Sequence, residues 1–284
     1  MNETSNRRQK LLCTLGPTSL NARVMGRLQE IGVSLFRINL SHTALDDVAG
    51  VIETIQRHSS VPICLDSEGA QVRTGHMEQS AVSLAESAII DIPFDNITGT
   101  ENRLNLTPLD VARELQVGDV VSLDFNAALI RIVDVAEDRL TARVISSGKV
   151  GSNKAVSVDR SLLMPAISEK DRNAFELGVQ MGIENFALSF AHSGDDVDEV
   201  REIVGDRNVI SKIECEDALK NFSGIAEKSN AVLIDRGDLS REVPLEYIPQ
   251  TQKRIIDAAR RHGRGVYVAT NLLETMVHSP LPTR

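Results

Sequence analysis

At 284 residues the chain is long enough for two compact units. A content of 42% hydrophobic and 25% charged residues is that of an ordinary globular protein. A formal charge of −9 argues against a nucleic-acid or anionic-membrane surface, which needs a basic face. No apolar run approaches the roughly 18 residues of a membrane span. The start MNETSNRRQK has no apolar stretch behind it to make a signal peptide. Cys13, Cys64 and Cys215 lie in apolar runs and fit no zinc spacing, so they read as buried, reduced thiols of a cytoplasmic protein.

In chain order, 10–15 (KLLCTL) reads as a strand closed by Gly16-Pro17. Thr18 or Ser19 is placed to cap a helix whose Val24, Leu28 and Ile31 share a face, and Gly32 ends it. A second strand, 34–40, carries Arg37 and Asn39. A helix with Leu45, Val48, Ile52 and Ile55 at three–four spacing follows, then a third strand, 62–66, ending on Asp66. Strand alternating with helix predicts a parallel sheet. The rhythm breaks near Gly75. Over 74–158 strand signals dominate (88–92, 120–125, 129–133, 140–145), with a helix predicted only at 107–115. This is a β-rich insert, dividing the chain into 1–73 plus 159–284 and 74–158. The rhythm resumes at Ser168, which with Asp171 makes a capping-box-like start. Strands 185–190, 209–214, 231–236 and 265–270 then alternate with a helix running from there to about Met181, one marked by Val197, Val200 and Ile203, one near 216–228 and a long one near 245–262.

Two of these strands are apolar runs that end in charge: VISKIE (209–214) and AVLIDRGD (231–238). A buried parallel strand reads as a continuous apolar run, and an α/β barrel keeps its chemistry at the C-terminal ends of its strands. Lys212 and Glu214 are two residues apart and so share a face. The first run ends with Lys212 and Glu214, the second with Asp235, Arg236 and Asp238, and one lysine with two carboxylates converging on one mouth suits a divalent cation and an anionic substrate together. Outside the insert the pattern has seven parallel-type strands, whereas a closed (β/α)8 barrel has eight and about 250 residues. The fold class expected is therefore α/β, a TIM barrel of (β/α)8 type, incomplete at seven strands, with an inserted small β-barrel domain. Either a partner chain fills the eighth position, or the sheet is open, or the chain is truncated.

CTLGPTS (13–19), FRINLSH (36–42), LDSEGAQVRTG (65–75), GSNKAVSV (151–158), MPAISEKD (164–171), SKIE (211–214), RGDLSREVP (236–244) and ATNLLETM (269–276) occur in one order. On these motifs, from Lys10 to Arg284, the chain resembles the pyruvate kinase family. The resemblance implies a barrel with a mobile β lid closing over phosphoenolpyruvate, ADP and metal ions, in glycolysis. It implies that Lys212 neutralises the transferring phosphoryl group, since phosphoryl transfer needs mainly positioning and positive charge. Glu214 and Asp238 take the place of the family's Mg²⁺ (or Mn²⁺) ligands, as hard oxygens suit that ion. Arg37 takes the place of the arginine gripping the substrate phosphate. Arg236, Gly237 and Asp238 would offer backbone N–H groups to a carboxylate. Thr270 matches the threonine near the enolate face and Ser189 a residue lining the site. Asn39, Ser41, Asp66 and Ser67 resemble potassium ligands; His42, Arg73 and Lys154 resemble nucleotide-binding residues.

The departures from the family pattern are specific. Glu68 and Ala70 stand for lysine and proline, and Glu68 reverses a charge beside the expected anion site. Gln71 stands where the family has glutamate or lysine, which bears on the potassium requirement. Ser67 stands for threonine, Asp235 for a small residue beside the substrate carboxylate, and Asn271 for glutamine. The loop after Phe190 reads AHS, without the usual basic residues. The eighth strand with its SGE motif and the C-terminal domain are not in the sequence. Three functions remain open at this point: transfer of a phosphoryl group from phosphoenolpyruvate to ADP; lyase-type chemistry on a Mg²⁺-bound pyruvate enolate; and a non-catalytic phosphoenolpyruvate-binding paralogue or fragment. A homo-oligomer, or a partner chain completing the barrel, is expected; nucleic acid and membrane are not expected partners.

Overall fold

A computed structural model describes residues 10–69, 71–124, 127–160, 162, 164–270 and 274–280. The chain forms two compact units, one of 1–69 with 165–284 and one of 70–164. Asn271 lies outside the described residues.

The first unit begins with β1 (Leu11–Thr14), α1 (Ala22–Glu30), β2 (Val33–Asn39), α2 (Leu45–His58) and β3 (Ile63–Asp66). Asn21, rather than Thr18 or Ser19, caps α1: its side chain accepts from Val24 N, while Ser19 Oγ is spent closing the turn on Gly16 N at 2.9 Å.

The second unit holds β4 (Arg73–Thr74), β5 (Ala81–Leu84), β6 (Ile89–Pro93), β7 (Leu106–Thr107), α3 (Leu109–Ala112), β8 (Val120–Leu123), β9 (Ala128–Val135), β10 (Arg139–Ser146), β11 (Gly148–Gly151) and β12 (Val156–Val158). Its main sheet is antiparallel in the order β12-β8-β9-β10-β6. Alternating residues such as Val121, Leu123, Ile130, Ile132, Leu140 and Ala142 fill its core. The helix predicted at 107–115 shrinks to four residues. Beyond Ala112 the backbone tightens into i to i−3 turns that bury Val111 and Leu115, so packing decides the segment over helical hydrogen bonding.

The first unit resumes with α4 (Glu169–Gln180), β13 (Asn185–Leu188), α5 (Gly194–Val204), β14 (Asn208–Ile213), α6 (Glu216–Lys220), α7 (Phe222–Lys228), β15 (Ala231–Asp235), α8 (Arg236–Leu239), α9 (Ile248–Arg261) and β16 (Gly265–Ala269). The helix expected over 216–228 is two, parted at Asn221, whose side chain donates to His192 O at 2.8 Å. The one expected from 245 starts as a 3-10 turn, and the α-helix proper opens at Ile248 ahead of Pro249, which has no N–H to give. Ser168 caps α4 through the full capping box with Asp171.

Among the described residues seven parallel strands form one sheet, β1-β2-β3-β13-β14-β15-β16, with β1 and β16 at its two ends. The fold class is thus α/β, an incomplete TIM barrel with an inserted β domain. Side chains alternate across each strand. Phe36, Ile38, Leu65, Phe186, Leu188, Ile213, Val232 and Ile234 pack against the helices. Leu35, Cys64, Ala187, Ile210 and Leu233 form a separate layer on the other face. Each large buried side chain contributes about 1.5–3 kcal/mol by leaving water. Helix α4 lies so close to the sheet that a Cβ on Gly178 would meet Leu65 Cδ1 at 2.5 Å. Cys64 and Cys215 are buried as expected, but Cys13, on the end strand β1, is only half-buried. No helix among the described residues is long and apolar enough to cross a membrane.

Candidate active site

The period of two that sends Leu35, Cys64, Ala187, Ile210 and Leu233 to the inner face sends the next residues in phase there too. These are Arg37 and Asn39 on β2, Asp66 on β3, Ser189 after β13, Lys212 and Glu214 at the end of β14, and Asp235 on β15. All lie at the C-terminal ends of their strands, where barrel chemistry is placed.

Lys212 is the centre. It is 5% exposed, and its ammonium lies 2.8 Å from Glu214 Oε1, 3.6 Å from Asp66 Oδ2, and donates to Ser189 Oγ at 2.9 Å. Burial works against its charge, but the fields of Glu214 and then Asp66 more than offset this and hold the ammonium above the ordinary lysine range. Glu214 is 1% exposed. Burial pushes its carboxyl up to about 7, with Asp238 and Asp235 adding to the rise and Lys212 opposing it. Its Oε2 accepts from Phe190 N at 2.8 Å, which the positive φ of Phe190 (52°) allows.

Arg37 spans three strands. Nε donates to Asp66 Oδ2 at 2.5 Å, Nη2 pairs with the same oxygen, and Nη1 donates to Thr14 Oγ1 on β1 at 3.0 Å. Asp66, fully buried, also accepts from Ser189 Oγ at 3.3 Å. Asp66 is therefore the shared counter-ion of Arg37 and Lys212. Asn39 and Asp66 are register partners on β2 and β3. Asn39 Oδ1 accepts from Ser41 N at 3.1 Å, and Ser67 Oγ accepts from Ser189 N at 2.9 Å. Asn39, Asp66 and Ser67 thus bring oxygens to neighbouring strand ends, and Ser41 joins them through its N–H.

Asp235, Glu214 and Asp238 each place a carboxylate oxygen within 4.8 Å of the other two. Asp238 pairs with Arg241 at 2.6 Å. Asp235 Oδ1 accepts from Gly237 N at 3.2 Å and from Thr270 Oγ1. A Cβ on Gly237 would meet Thr270 Cγ2 at 2.9 Å, so glycine is needed for this approach. Arg236 turns away from the carboxylates and donates to Ala269 O at 3.1 Å and to Thr270 O. Thr270 itself sits at φ 70°, an outlier for a β-branched residue, held there by these contacts. Hard oxygens with one buried atom that accepts no hydrogen bond, Glu214 Oε1, fit a divalent cation.

The structure thus brings Arg37, Lys212, Glu214, Asp66, Ser67 and Ser189 into one network, with Asp238, Gly237 and Thr270 joined through Asp235. His42 is exposed on the 3-10 turn Leu40–His42. Arg73 and Lys154 belong to the second unit. They lie on adjoining segments there: Arg73 Nη1 donates to Asn153 O at 3.3 Å, and Lys154 N to Thr74 Oγ1 at 2.8 Å. Two features were missed in the sequence. Asp235 was read as part of the charged end of its strand and as a departure from the family pattern, but not as a candidate ligand, although counting by two from Leu233 puts it among the inward carboxylates. Glu68, read as a charge reversal beside the anion site, pairs with Lys170 at 3.2 Å. That partner is 102 positions away, beyond any local signal. Asp171 also accepts from Glu68 N at 2.7 Å and Gly69 N at 3.1 Å, anchoring the loop after β3.

Residues 6–284 match the family model of the pyruvate kinase barrel domain. The chain is 36% identical over 286 residues to a pyruvate kinase of Methylorubrum extorquens, covering 98% of this chain and 60% of that protein. It is 33% identical over 288 residues to one of Mycobacterium tuberculosis (98% and 61%) and 31% over 291 residues to one of Bacillus licheniformis (98% and 50%). The chain spans about half to three-fifths of the length of these curated relatives. By the family model and by these identities, the chain belongs to the pyruvate kinase family, which it matches over the barrel domain.

Proposed function

We propose that the chain carries the centre of a phosphotransferase that moves a phosphoryl group from phosphoenolpyruvate to ADP, giving pyruvate and ATP. The observation that carries this reading is the buried Lys212 ammonium, kept charged by Glu214 and Asp66 and flanked by the Arg37 guanidinium. Arg37, oriented by Asp66 and Thr14, grips the phosphate. Lys212 neutralises the phosphoryl oxygens while the bond to the enol oxygen breaks and a bond to the ADP terminal oxygen forms. The pyruvate enolate left behind takes a proton at its methylene carbon on the side of Thr270. Gly237 and Asp238 present N–H groups to the substrate carboxylate, and Ser189 holds Lys212 in place. A Mg²⁺ or Mn²⁺ ion held by Glu214 and Asp238 supplies further positive charge to substrate oxygens. Asn39, Ser41, Asp66 and Ser67 are assigned to K⁺, and His42, Arg73 and Lys154 to the nucleotide. We place the protein in the cytoplasm and assign to it a homo-oligomer or a partner chain that completes the barrel.

A second reading, a phosphoenolpyruvate-binding protein without turnover, is favoured by one observation: Asp235 occupies Thr270 and Gly237 N. A coupled assay with phosphoenolpyruvate, ADP, Mg²⁺ and K⁺ decides between the two. ATP formation supports the transferase; calorimetric binding of phosphoenolpyruvate without ATP supports the binder.

A further inference from the structure

We propose that Asp235 is a third carboxylate ligand, which lets the site hold a divalent cation before any substrate arrives. The inference rests on the reading of Glu214 and Asp238 as cation ligands. Three anionic oxygens within 4.8 Å of one another repel strongly unless positive charge stands among them. Two of the three have a cation of their own: Glu214 has Lys212, and Asp238 has Arg241. Asp235 makes no salt bridge among the described residues; its hydrogen bonds come from the Thr270 hydroxyl and the Gly237 N–H. Glu214 provides an independent sign of a missing ligand. Its Oε1 is buried and its one close partner is the Lys212 ammonium at 2.8 Å, with no hydrogen bond of ordinary geometry to it.

Ligand charge sets the affinity of an oxygen site for a hard cation. Two carboxylates leave much of the coordination to substrate; a third raises the affinity of the protein alone. It also adds a negative charge facing the anionic substrate. The cation must therefore enter first, and phosphoenolpyruvate binds weakly until it has.

The test is a Mn²⁺ titration of the whole chain without substrate, with free Mn²⁺ read by electron paramagnetic resonance. Asp235→Asn keeps an acceptor for Thr270 and Gly237 and removes the charge; Asp235→Ala removes both, with circular dichroism reporting the fold. The wild type is expected to bind one Mn²⁺, and both Asp235 variants and Glu214→Gln to bind it at least about tenfold more weakly. Wild-type affinity in both Asp235 variants, with loss in Glu214→Gln, overturns the role of Asp235 and leaves the Glu214–Asp238 site standing. Wild-type affinity in all three overturns both. Mn²⁺ binding that appears only after phosphoenolpyruvate is added overturns the inference and leaves the proposed reaction intact.

Discussion

Lys212 Nζ stands 2.8 Å from Glu214 Oε1 with both side chains buried, and the pair is unequal: the lysine is held firmly charged while the glutamate is pushed up to about 7. Taking two charges out of water costs several kcal/mol per ion. A binding site accepts that cost for a charge it needs in place.

The inequality gives a pH dependence. Unfolded, the Glu214 carboxyl releases its proton near 4.5; folded, near 7. Below 4.5 both states hold the proton. Between the two values the native state keeps a proton that the unfolded state has lost, so stability falls as pH rises, and above 7 the loss is complete. Lys212, raised from an already high value, stays charged throughout this window. Urea unfolding in the presence of a chelator, from pH 4.5 to 8, should show this fall in the wild type and a flatter profile in Glu214→Gln. Parallel profiles would contradict the assignment.

Arg37 contacts Asp66 with two nitrogens and Thr14 with the third. A lysine has one nitrogen and cannot span these partners while still facing a phosphate. Arg37→Lys is expected to lower kcat/KM for phosphoenolpyruvate at least about tenfold, or about 1.4 kcal/mol, with the larger change in KM. Steady-state kinetics in the coupled assay check it.

Asp171 is fully buried and accepts from Ser168 Oγ, Glu68 N and Gly69 N. Asp171→Ala removes the Asp171 half of the α4 capping box and leaves the loop donors without that acceptor. The expected loss is about 2–3 kcal/mol, measurable by denaturant unfolding. Asp171→Asn, which keeps one acceptor oxygen, should lose less.

Much of this site was legible in the sequence because strand period is strict. Lys212 and Glu214, two apart after VIS, had to share a face, and Ser168 with Asp171 announced the start of α4. The motifs carried the family. What was not legible depends on distant partners. Asn221, where the helix breaks, donates to His192 O, and Glu68 finds Lys170 across the fold. Short strands such as β5 and β11 exist because they pair with each other, not because of their own residues. Counting by two from Leu233 turns Asp235 inward, but its closeness to Glu214 and Asp238 comes from the pairing of neighbouring strands, which only the coordinates supply.

The central claim is that the Lys212 charge serves the transferring phosphoryl group, and Lys212→Met tests it most directly. The methionine keeps the stem and removes the ammonium. In the coupled assay, kcat for ATP formation is expected to fall about 10²–10³-fold, with the fold intact by circular dichroism. A wild-type kcat in Lys212→Met would contradict the account.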